Sequence, residues 1–168
     1  MKPKGKGRAG AAAAAAPATR HLVAQNKKAL FKYQLVEKLE AGIALVGTEV
    51  KSLRDHQVNF TDSYARFDGN EIFLFNLNIA IYEPASRMNH DPIRKRKLLL
   101  HRQELERLAG KLRQRGFTLV PLAIYFSGPW AKVELGLVTH KTPGDKRQAI
   151  KDRESKRDLD RARKYRDR

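Results

Sequence analysis

The 168-residue chain has no cysteine, a single tryptophan and no long apolar run. Without cysteine it can form neither disulfides nor thiolate metal sites, which fits a reducing cytoplasm. A membrane helix needs about 20 consecutive apolar residues, and no segment approaches that length. The alanine run at residues 11–16 is too short and too weakly apolar for a signal peptide. We therefore expect a cytoplasmic protein with no membrane partner.

Motifs of catalysis and of metal binding are also missing. The histidines stand singly, without the spacing of a metal site, at His21, His56, His90, His101 and His140. No glycine-rich loop carries the Gly-Lys-Ser/Thr ending that holds phosphates, and no serine lies in a nucleophile elbow. The sequence predicts neither an enzyme nor a bound cofactor.

Acidic residues are scarce beside 35 lysines and arginines, and the formal net charge is +17. Residues 1–20 contribute +5, residues 21–140 contribute +6 and residues 141–168 contribute +6. The charge is therefore densest at the two ends, which predicts a polyanion partner, with nucleic acid favoured over membrane. We expect a disordered basic arm at 1–20, a globular domain at 21–140 and a disordered basic tail at 141–168.

The first half of the domain alternates between helix and strand signals. Asn26 can cap a short helical turn. Residues 31–35 alternate apolar and polar side chains, as a half-buried strand does, and residues 43–46 form a second apolar run. Glycine in residues 40–42 predicts a hairpin turn between these two strands. Residues 47–55 predict a short helix.

The second half is dominated by strand patterns. Residues 60–67 and 72–79 predict two strands joined by a tight Asp-Gly turn. A helix over residues 102–115 should end at Gly116. Strands at 117–126, with a bulge or edge at Pro121, and at 130–138 complete about six strands. Hairpin connections and the need to remove sheet edges predict a mainly β protein, a small antiparallel barrel with two to three flanking helices.

One run combines charge with apolar residues. Residues 94–97 are four consecutive cations, and residues 98–100 are three leucines. Adjacent cations repel, so their clustering indicates that an anion binds them, whereas the leucines belong partly in a core. We interpret the run as a charged edge fixed to a buried layer.

A series of motifs in chain order resembles the SmpB family of SsrA-binding proteins, from residue 21 to about residue 165. The motifs are Asn26-Lys27-Lys28-Ala29, Glu40-Ala41-Gly42, Gly47-Thr48-Glu49-Val50-Lys51-Ser52-Leu53-Arg54, Asp62-Ser63-Tyr64, Asp91-Pro92, Arg96-Lys97-Leu98-Leu99-Leu100-His101, Thr118-Leu119-Val120-Pro121-Leu122, Lys132-Val133-Glu134-Leu135-Gly136 and Asp145-Lys146-Arg147. The resemblance implies an antiparallel barrel of the OB type. It implies binding to the tRNA-like domain of transfer-messenger RNA, at its elbow. Further implied partners are the stalled 70S ribosome and elongation factor Tu.

The resemblance also implies an RNA-binding surface. Its residues would be Asn26, Lys27, Lys28, Glu40, Arg96, Lys97, Leu99, His101, Lys132 and Lys141. Cations there would meet phosphates, while asparagine and glutamate meet sugar hydroxyls or base edges. Leu99 would pack on an unstacked base. The alternative is that Leu99 belongs to the core and that Glu40 pairs with a lysine.

The tail matches the family at its decoding-centre motif. The resemblance implies that the tail becomes helical in the vacant mRNA channel of the small subunit and stands in for codon–anticodon pairing. The residues concerned are Asp145, Lys146, Arg147, Lys151, Arg153, Lys156 and Arg157. The chain departs from the family where Pro143 and Gly144 precede Asp145, because the family often has an aromatic residue or histidine there.

Two other hypotheses remain open. The first is a general RNA-binding barrel, such as a ribosomal or initiation-factor-like OB protein. The second is a structural polyanion-binding protein with no RNA specificity. Salt dependence separates them from a specific RNA partner, because phosphate contacts weaken steeply as salt rises.

Overall fold

The computed structural model describes residues 20–85, 89–114 and 116–141. Within these residues the strands are β1 (Arg20–Gln25), β2 (Tyr33–Ile43), β3 (Val58–Asn59), β4 (Tyr64–Asp68), β5 (Glu71–Phe75), β6 (Asn78–Ile79), β7 (Arg96–Leu99), β8 (Phe117–Ser127) and β9 (Trp130–His140). The helices are α1 (Lys27–Lys32), α2 (Gly47–Arg54) and α3 (Arg102–Leu112), with a single 3₁₀ turn at Glu83–Ala85. Of the predicted basic arm (residues 1–20) and tail (residues 141–168), the described residues include only Arg20, which belongs to β1, and Lys141.

Six strands close into a ring in the order β8, β4, β5, β7, β2, β9, and β9 pairs back to β8. Every pairing is antiparallel, and β1 extends the sheet along residues 123–127 of β8. Closure leaves the ring without a free edge. The prediction of a mainly β, antiparallel barrel of the OB type with flanking helices is confirmed.

The core fills the inside of the ring and is completed by two helices. Inward side chains alternate with outward ones along each strand, as the pleat requires. Leu53 of α2 and Leu108 of α3 pack onto this core and are fully buried. No helix in the described ranges is both long and apolar enough to cross a membrane.

Helix α1 lies on the outside of the barrel with a small apolar cluster of its own. Ala29 packs there against Val120, Leu122 and Val138. The predicted cap is confirmed, since the Asn26 Oδ1 accepts from the Ala29 backbone N–H at 3.1 Å. The Asn26 amide also donates to the Pro121 carbonyl at 3.0 Å, which ties α1 to β8.

The predicted hairpin at residues 40–42 is wrong. Strand β2 runs unbroken from Tyr33 to Ile43 because it pairs with β9 along nearly its whole length. A glycine inside a strand often marks a close approach. At Gly42 an added Cβ would lie 3.2 Å from the Cβ of Leu99 on the neighbouring strand. Phe31, predicted in a strand, instead belongs to the last turn of α1.

Several other predicted helices, strands and turns are present, some with different first or last residues. Helices α2 and α3 form where predicted, and Gly69 adopts a φ of 64° in the predicted Asp-Gly turn. Strands β4 and β5 are shorter than the runs at 60–67 and 72–79. The β8–β9 register shifts between Pro121 and Ala123, so the predicted bulge is confirmed. Strands β1, β3 and β7 were not predicted.

Candidate nucleic-acid interface

The outward side chains of four neighbouring strands form a continuous surface, which we call the platform. It consists of Lys38, Glu40 and Gly42 of β2, Trp130, Lys132 and Glu134 of β9, Tyr125 of β8 and Leu99 of β7. Their strand neighbours Leu39, Ala41 and Val133 point into the core. One row crosses the platform, because Tyr125 pairs with Lys132, Lys132 with Gly42 and Gly42 with Leu99.

Glu40 lies at the centre of the platform and is fully engaged. Its carboxylate accepts from the Lys132 ammonium and the Tyr125 hydroxyl, and from Arg20 at 3.2 Å. The hydrogen bonds from Lys132 and Tyr125 hold the pKa of Glu40 below its ordinary value. Burial, together with the nearby Glu40 carboxylate, raises the pKa of Tyr125. Glu40 does pair with a lysine, as one alternative held, but its side chain stays 35% exposed.

Leu99 is not a core residue, because 53% of its surface is exposed. Its neighbour Gly42 has no side chain to cover it, and an alanine there would press against Leu99. The platform therefore presents an apolar shelf beside Lys132. The alternative that Leu99 belongs to the core is therefore wrong, and its packing on an unstacked base stays a prediction.

The residues of α1 lie at one end of the platform. Lys27 and Lys28 are exposed and have no ion-pair partner among the described residues, and the same holds for Lys32. Lys141 reaches the same helix, since its ammonium donates to the Leu30 carbonyl at 3.0 Å. A hollow of about 230 Å³ between α1 and the platform is lined by residues that include Asn26, Leu30, Lys38 and Tyr125.

Of the ten predicted RNA-binding residues, Glu40, Leu99 and Lys132 lie on the platform, and Asn26 lines the hollow where helix α1 meets it. Lys141 contacts the same helix. Lys27 and Lys28 line a different hollow, together with Lys32 and residues 58–63. Lys97 points outward from β7 next to this surface and pairs with Glu71. His101 lies two residues beyond Leu99, exposed at the start of α3, where its backbone N–H donates to the Glu104 carboxylate at 3.0 Å.

Arg96 is placed differently from the expectation and is fully buried. It alternates with Lys97 along β7 and so points into the barrel, on the same side as Leu98. Its Nε donates to Glu49 at 2.8 Å, and its terminal nitrogens donate to the Leu77 and Pro92 carbonyls. Burial lowers the pKa of Arg96, although the Glu49 charge opposes this. Arg96 is a structural residue here, and we remove it from the candidate RNA-binding set.

Its partner Glu49 was not singled out from the sequence. Glu49 is fully buried on α2, and its carboxylate accepts from Arg94, Arg96 and the Val46 backbone N–H. Burial alone would raise the pKa of Glu49, but the hydrogen bonds from Arg94 and Val46 and the charge of Arg96 hold it below the ordinary value. The signal in the sequence that could have indicated Glu49 was the run of four cations at residues 94–97, because such a run needs a carboxylate near it in the folded chain.

Two of the histidines make hydrogen bonds that hold local structure. His56 Nδ1 lies 2.7 Å from the Val23 carbonyl, and His90 Nδ1 lies 2.9 Å from the Thr48 hydroxyl. In the described ranges no three His, Asp or Glu side chains are grouped as metal ligands would be. The predicted tail residues lie outside the described part of the chain; they are Asp145, Lys146, Arg147, Lys151, Arg153, Lys156 and Arg157.

Comparisons with known proteins agree on one family. A family model described as SmpB protein matches residues 23–165. An SsrA-binding protein of Listeria welshimeri is 52% identical over 145 residues, covering 86% of this chain and 94% of the relative. An SsrA-binding protein of Anaeromyxobacter sp. (strain K) is 50% identical over 162 residues, covering 96% of both chains.

A solved structure points the same way. It is described as "tmRNA-SmpB: a journey to the center of the bacterial ribosome", is 51% identical in sequence and superposes with a TM-score of 0.61. The match covers 80% of this chain and 95% of that chain. With a family model across most of its length and relatives at half identity, this chain belongs to the SmpB family.

Proposed function

We propose that this protein binds the tRNA-like domain of transfer-messenger RNA and delivers it to stalled ribosomes for trans-translation in the cytoplasm. It acts as an RNA-binding protein and not as an enzyme. The observation that carries the proposal is that helix α1, whose lysines have no ion-pair partner among the described residues, lies directly beside the platform. Relatives that are about half identical to this chain are named SsrA-binding proteins, which also supports transfer-messenger RNA as the partner.

The two parts of this surface suit different parts of a folded RNA. Cations that have no ion-pair partner attract phosphates. When they bind, the counterions around the RNA are released, which favours association. An exposed leucine beside a glycine, framed by paired charges, suits an unstacked base or a ribose. The elbow of a tRNA-like fold, where two loops meet, offers both kinds of group within a short distance. We therefore assign α1 to phosphates and the platform to nucleosides.

We further propose that residues 141–168 act at the ribosome. This segment carries a net charge of +6 and has no apolar stripe that would form a core. Such a segment is marginal as an isolated helix but can order when a polyanion neutralises its cations. In the vacant mRNA channel it would become helical, with Asp145, Lys146 and Arg147 near the decoding centre. Elongation factor Tu is the expected third partner, bound to the charged RNA.

The RNA preference is tested by titrating the full chain with the tRNA-like domain and with an RNA duplex of equal length. At about 0.15 M salt, where surface charge is screened beyond roughly 8 Å, the tRNA-like domain should bind far more tightly. Equal affinity for the two RNAs would refute the proposal. It would favour a general polyanion-binding protein instead.

The role of the tail is tested by truncation after Lys141. This variant should bind the tRNA-like domain as the full chain does, but should not support tagging in a reconstituted translation system stalled on a message without a stop codon. A matched variant lacking residues 1–19, the other basic end, should keep both activities. Loss of RNA affinity on removing residues 142–168 would contradict the division between surface and tail.

A further inference from the structure

Among the described residues, Trp130 is the most exposed of the large apolar side chains, with 71% of its surface open to solvent. Its ring contacts no other aromatic ring or cation among the described residues, and its indole N–H has no hydrogen-bond partner there. It is also the chain's sole tryptophan. An exposed indole of this size leaves much apolar surface in water, which is unfavourable unless a ligand covers it.

The local backbone fixes where this indole stands. Trp130 is the first residue of β9 and pairs with Ser127, the last residue of β8. The two-residue connection is Gly128, with a φ of 59° that glycine adopts without strain, and Pro129, whose ring restricts its own φ. A tight hairpin of this kind fixes the backbone at Trp130, so little backbone entropy is lost when a ligand binds there.

Its position continues the platform beyond Lys132. Side chains two apart on a strand share a face, so Trp130 points the same way as Lys132. Lys132 lies opposite Gly42, and Gly42 lies opposite Leu99. With strands about 4.8 Å apart and a rise of about 3.3 Å per residue, the Cα atoms of Trp130 and Leu99 are about 12 Å apart. Two exposed apolar side chains therefore lie near Lys132 on this face, Trp130 along β9 and Leu99 across β2.

We propose that Trp130 is a stacking site for one unpaired base of the bound RNA, an inference that rests on the proposed function. The occupant is a base rather than an apolar protein segment, because the exposed ring lies on a face that also carries charged pairs, on a chain of net charge +17. Aromatic side chains hold single bases by stacking, whichever base is present. The free indole N–H can donate to a phosphate or base edge beside the stacked base.

The sole tryptophan also reports on its own contacts. Titration of the full chain with the tRNA-like domain, at about 0.15 M salt, should quench the indole fluorescence with saturation at one RNA per protein. A duplex of equal length should give little quenching at equal occupancy, because its bases are already stacked and paired.

Variants separate stacking from folding. Trp130→Ala should weaken binding of the tRNA-like domain about tenfold or more, the size expected for loss of a base–aromatic stack, while Trp130→Phe keeps most of the affinity. The control Ile81→Ala removes another exposed apolar side chain, 48% exposed, just after the separate β3–β6 sheet, and should bind as the wild type does. All three variants should melt within about a degree of the wild type, because neither side chain is in the core.

Each outcome bears on one of the two proposals. If the wild type prefers the tRNA-like domain but shows no quenching, and Trp130→Ala binds it equally well, the stacking site is refuted while the proposed function stands. Equal quenching by the duplex also refutes the stacking site. If the wild type does not distinguish the two RNAs at all, the proposed function itself fails.

Discussion

Helix α1 and strand β7 each carry closely spaced cations, but their surroundings are opposite. Lys27 and Lys28 of α1 have no carboxylate within ion-pair distance among the described residues. In the run that leads into β7, all four cations have one: Arg94 and Arg96 pair with Glu49, Lys95 with Asp68 and Lys97 with Glu71. Within the described ranges, one basic run is therefore open to a ligand, whereas every cation of the other is paired with a carboxylate of the chain, Glu49 serving two of them.

The difference separates two uses of positive charge. A phosphate that approaches Lys97 must compete with Glu71, so that lysine gains little by binding RNA. A phosphate that approaches Lys27 replaces only water and small ions. Arg96 differs again, because its buried charge is tied to Glu49 and to backbone carbonyls and contributes to the fold alone. A run of cations indicates nucleic-acid binding only after its partners are known.

The largest expected effect comes from Glu49→Gln. This change leaves Arg96 buried without a counter-charge, which typically costs about 3–5 kcal/mol of unfolding free energy. Urea unfolding of the wild type and the variant measures the loss. Glu71→Gln removes the partner of an exposed lysine and should cost at most about 1 kcal/mol. Similar losses of unfolding free energy in the two variants would mean that the buried Glu49–Arg96 pair contributes no more than the exposed Glu71–Lys97 pair.

The next effect concerns RNA affinity. The double variant Lys27→Gln/Lys28→Gln should weaken binding of the tRNA-like domain by about tenfold per lysine, as for other charge-assisted contacts. It should also lower the slope of log affinity against log salt by about 1 for each lost contact. The matched variant Lys95→Gln/Lys97→Gln loses the same charge and should change the slope much less. Equal salt slopes for the two double variants would contradict the distinction between the open lysines of α1 and the paired cations at residues 94–97.

Neighbouring leucines of β7 offer a smaller, sharper test. Leu99→Ala should weaken RNA binding about three- to tenfold, in keeping with the loss of about 1 kcal/mol of apolar contact, and leave the melting temperature nearly unchanged. Leu98→Ala, at a position only 2% exposed, should destabilise the fold by about 2–5 kcal/mol. RNA binding that survives Leu99→Ala intact would show that Leu99 makes no contact with the ligand.

The smallest effect is the pH dependence of one exposed pair. The hydrogen bond and charge of Lys95 hold the pKa of Asp68 below its ordinary value of 3.8. A lowered folded-state pKa stabilises the fold above the unfolded-state pKa, and the contribution is lost as pH falls through the folded-state value. The stability gap between wild type and Asp68→Asn should therefore stay constant down to about pH 5 and shrink in more acidic buffer. Urea unfolding across this range checks it, and a gap that widens in acid would contradict the pairing.

The sequence predicted most of the fold because its signals are local. The alternation along β9 and the Asp-Gly turn at Gly69 need only neighbouring residues to be interpreted. The unbroken β2 could not be predicted, since Gly42 is explained by Leu99, a residue far away in the chain. Strand β7 was not predicted because Arg96 occupies an inward position, where the alternating pattern of a strand would place an apolar residue.

The candidate site was predictable in part, through the family resemblance. Asn26, Glu40, Leu99 and Lys132 come together on one side of the barrel. The burial of Arg96 was not predictable, because its partner Glu49 is on α2, 47 residues earlier. Trp130 carries no motif of its own, and only its exposure in the folded chain draws attention to it.

The pairing of β2 with β9 also has a consequence for how the protein folds. Tyr33 and His140 face each other at the end of this pairing, so the ring closes only when the last strand meets one of the first. Contacts between residues so distant in sequence slow folding, because loop entropy is lost before the contacts form. During synthesis β2 therefore waits with one long edge unpaired until β9 has been made. That edge is the segment of the nascent chain most exposed to mispairing with other strands.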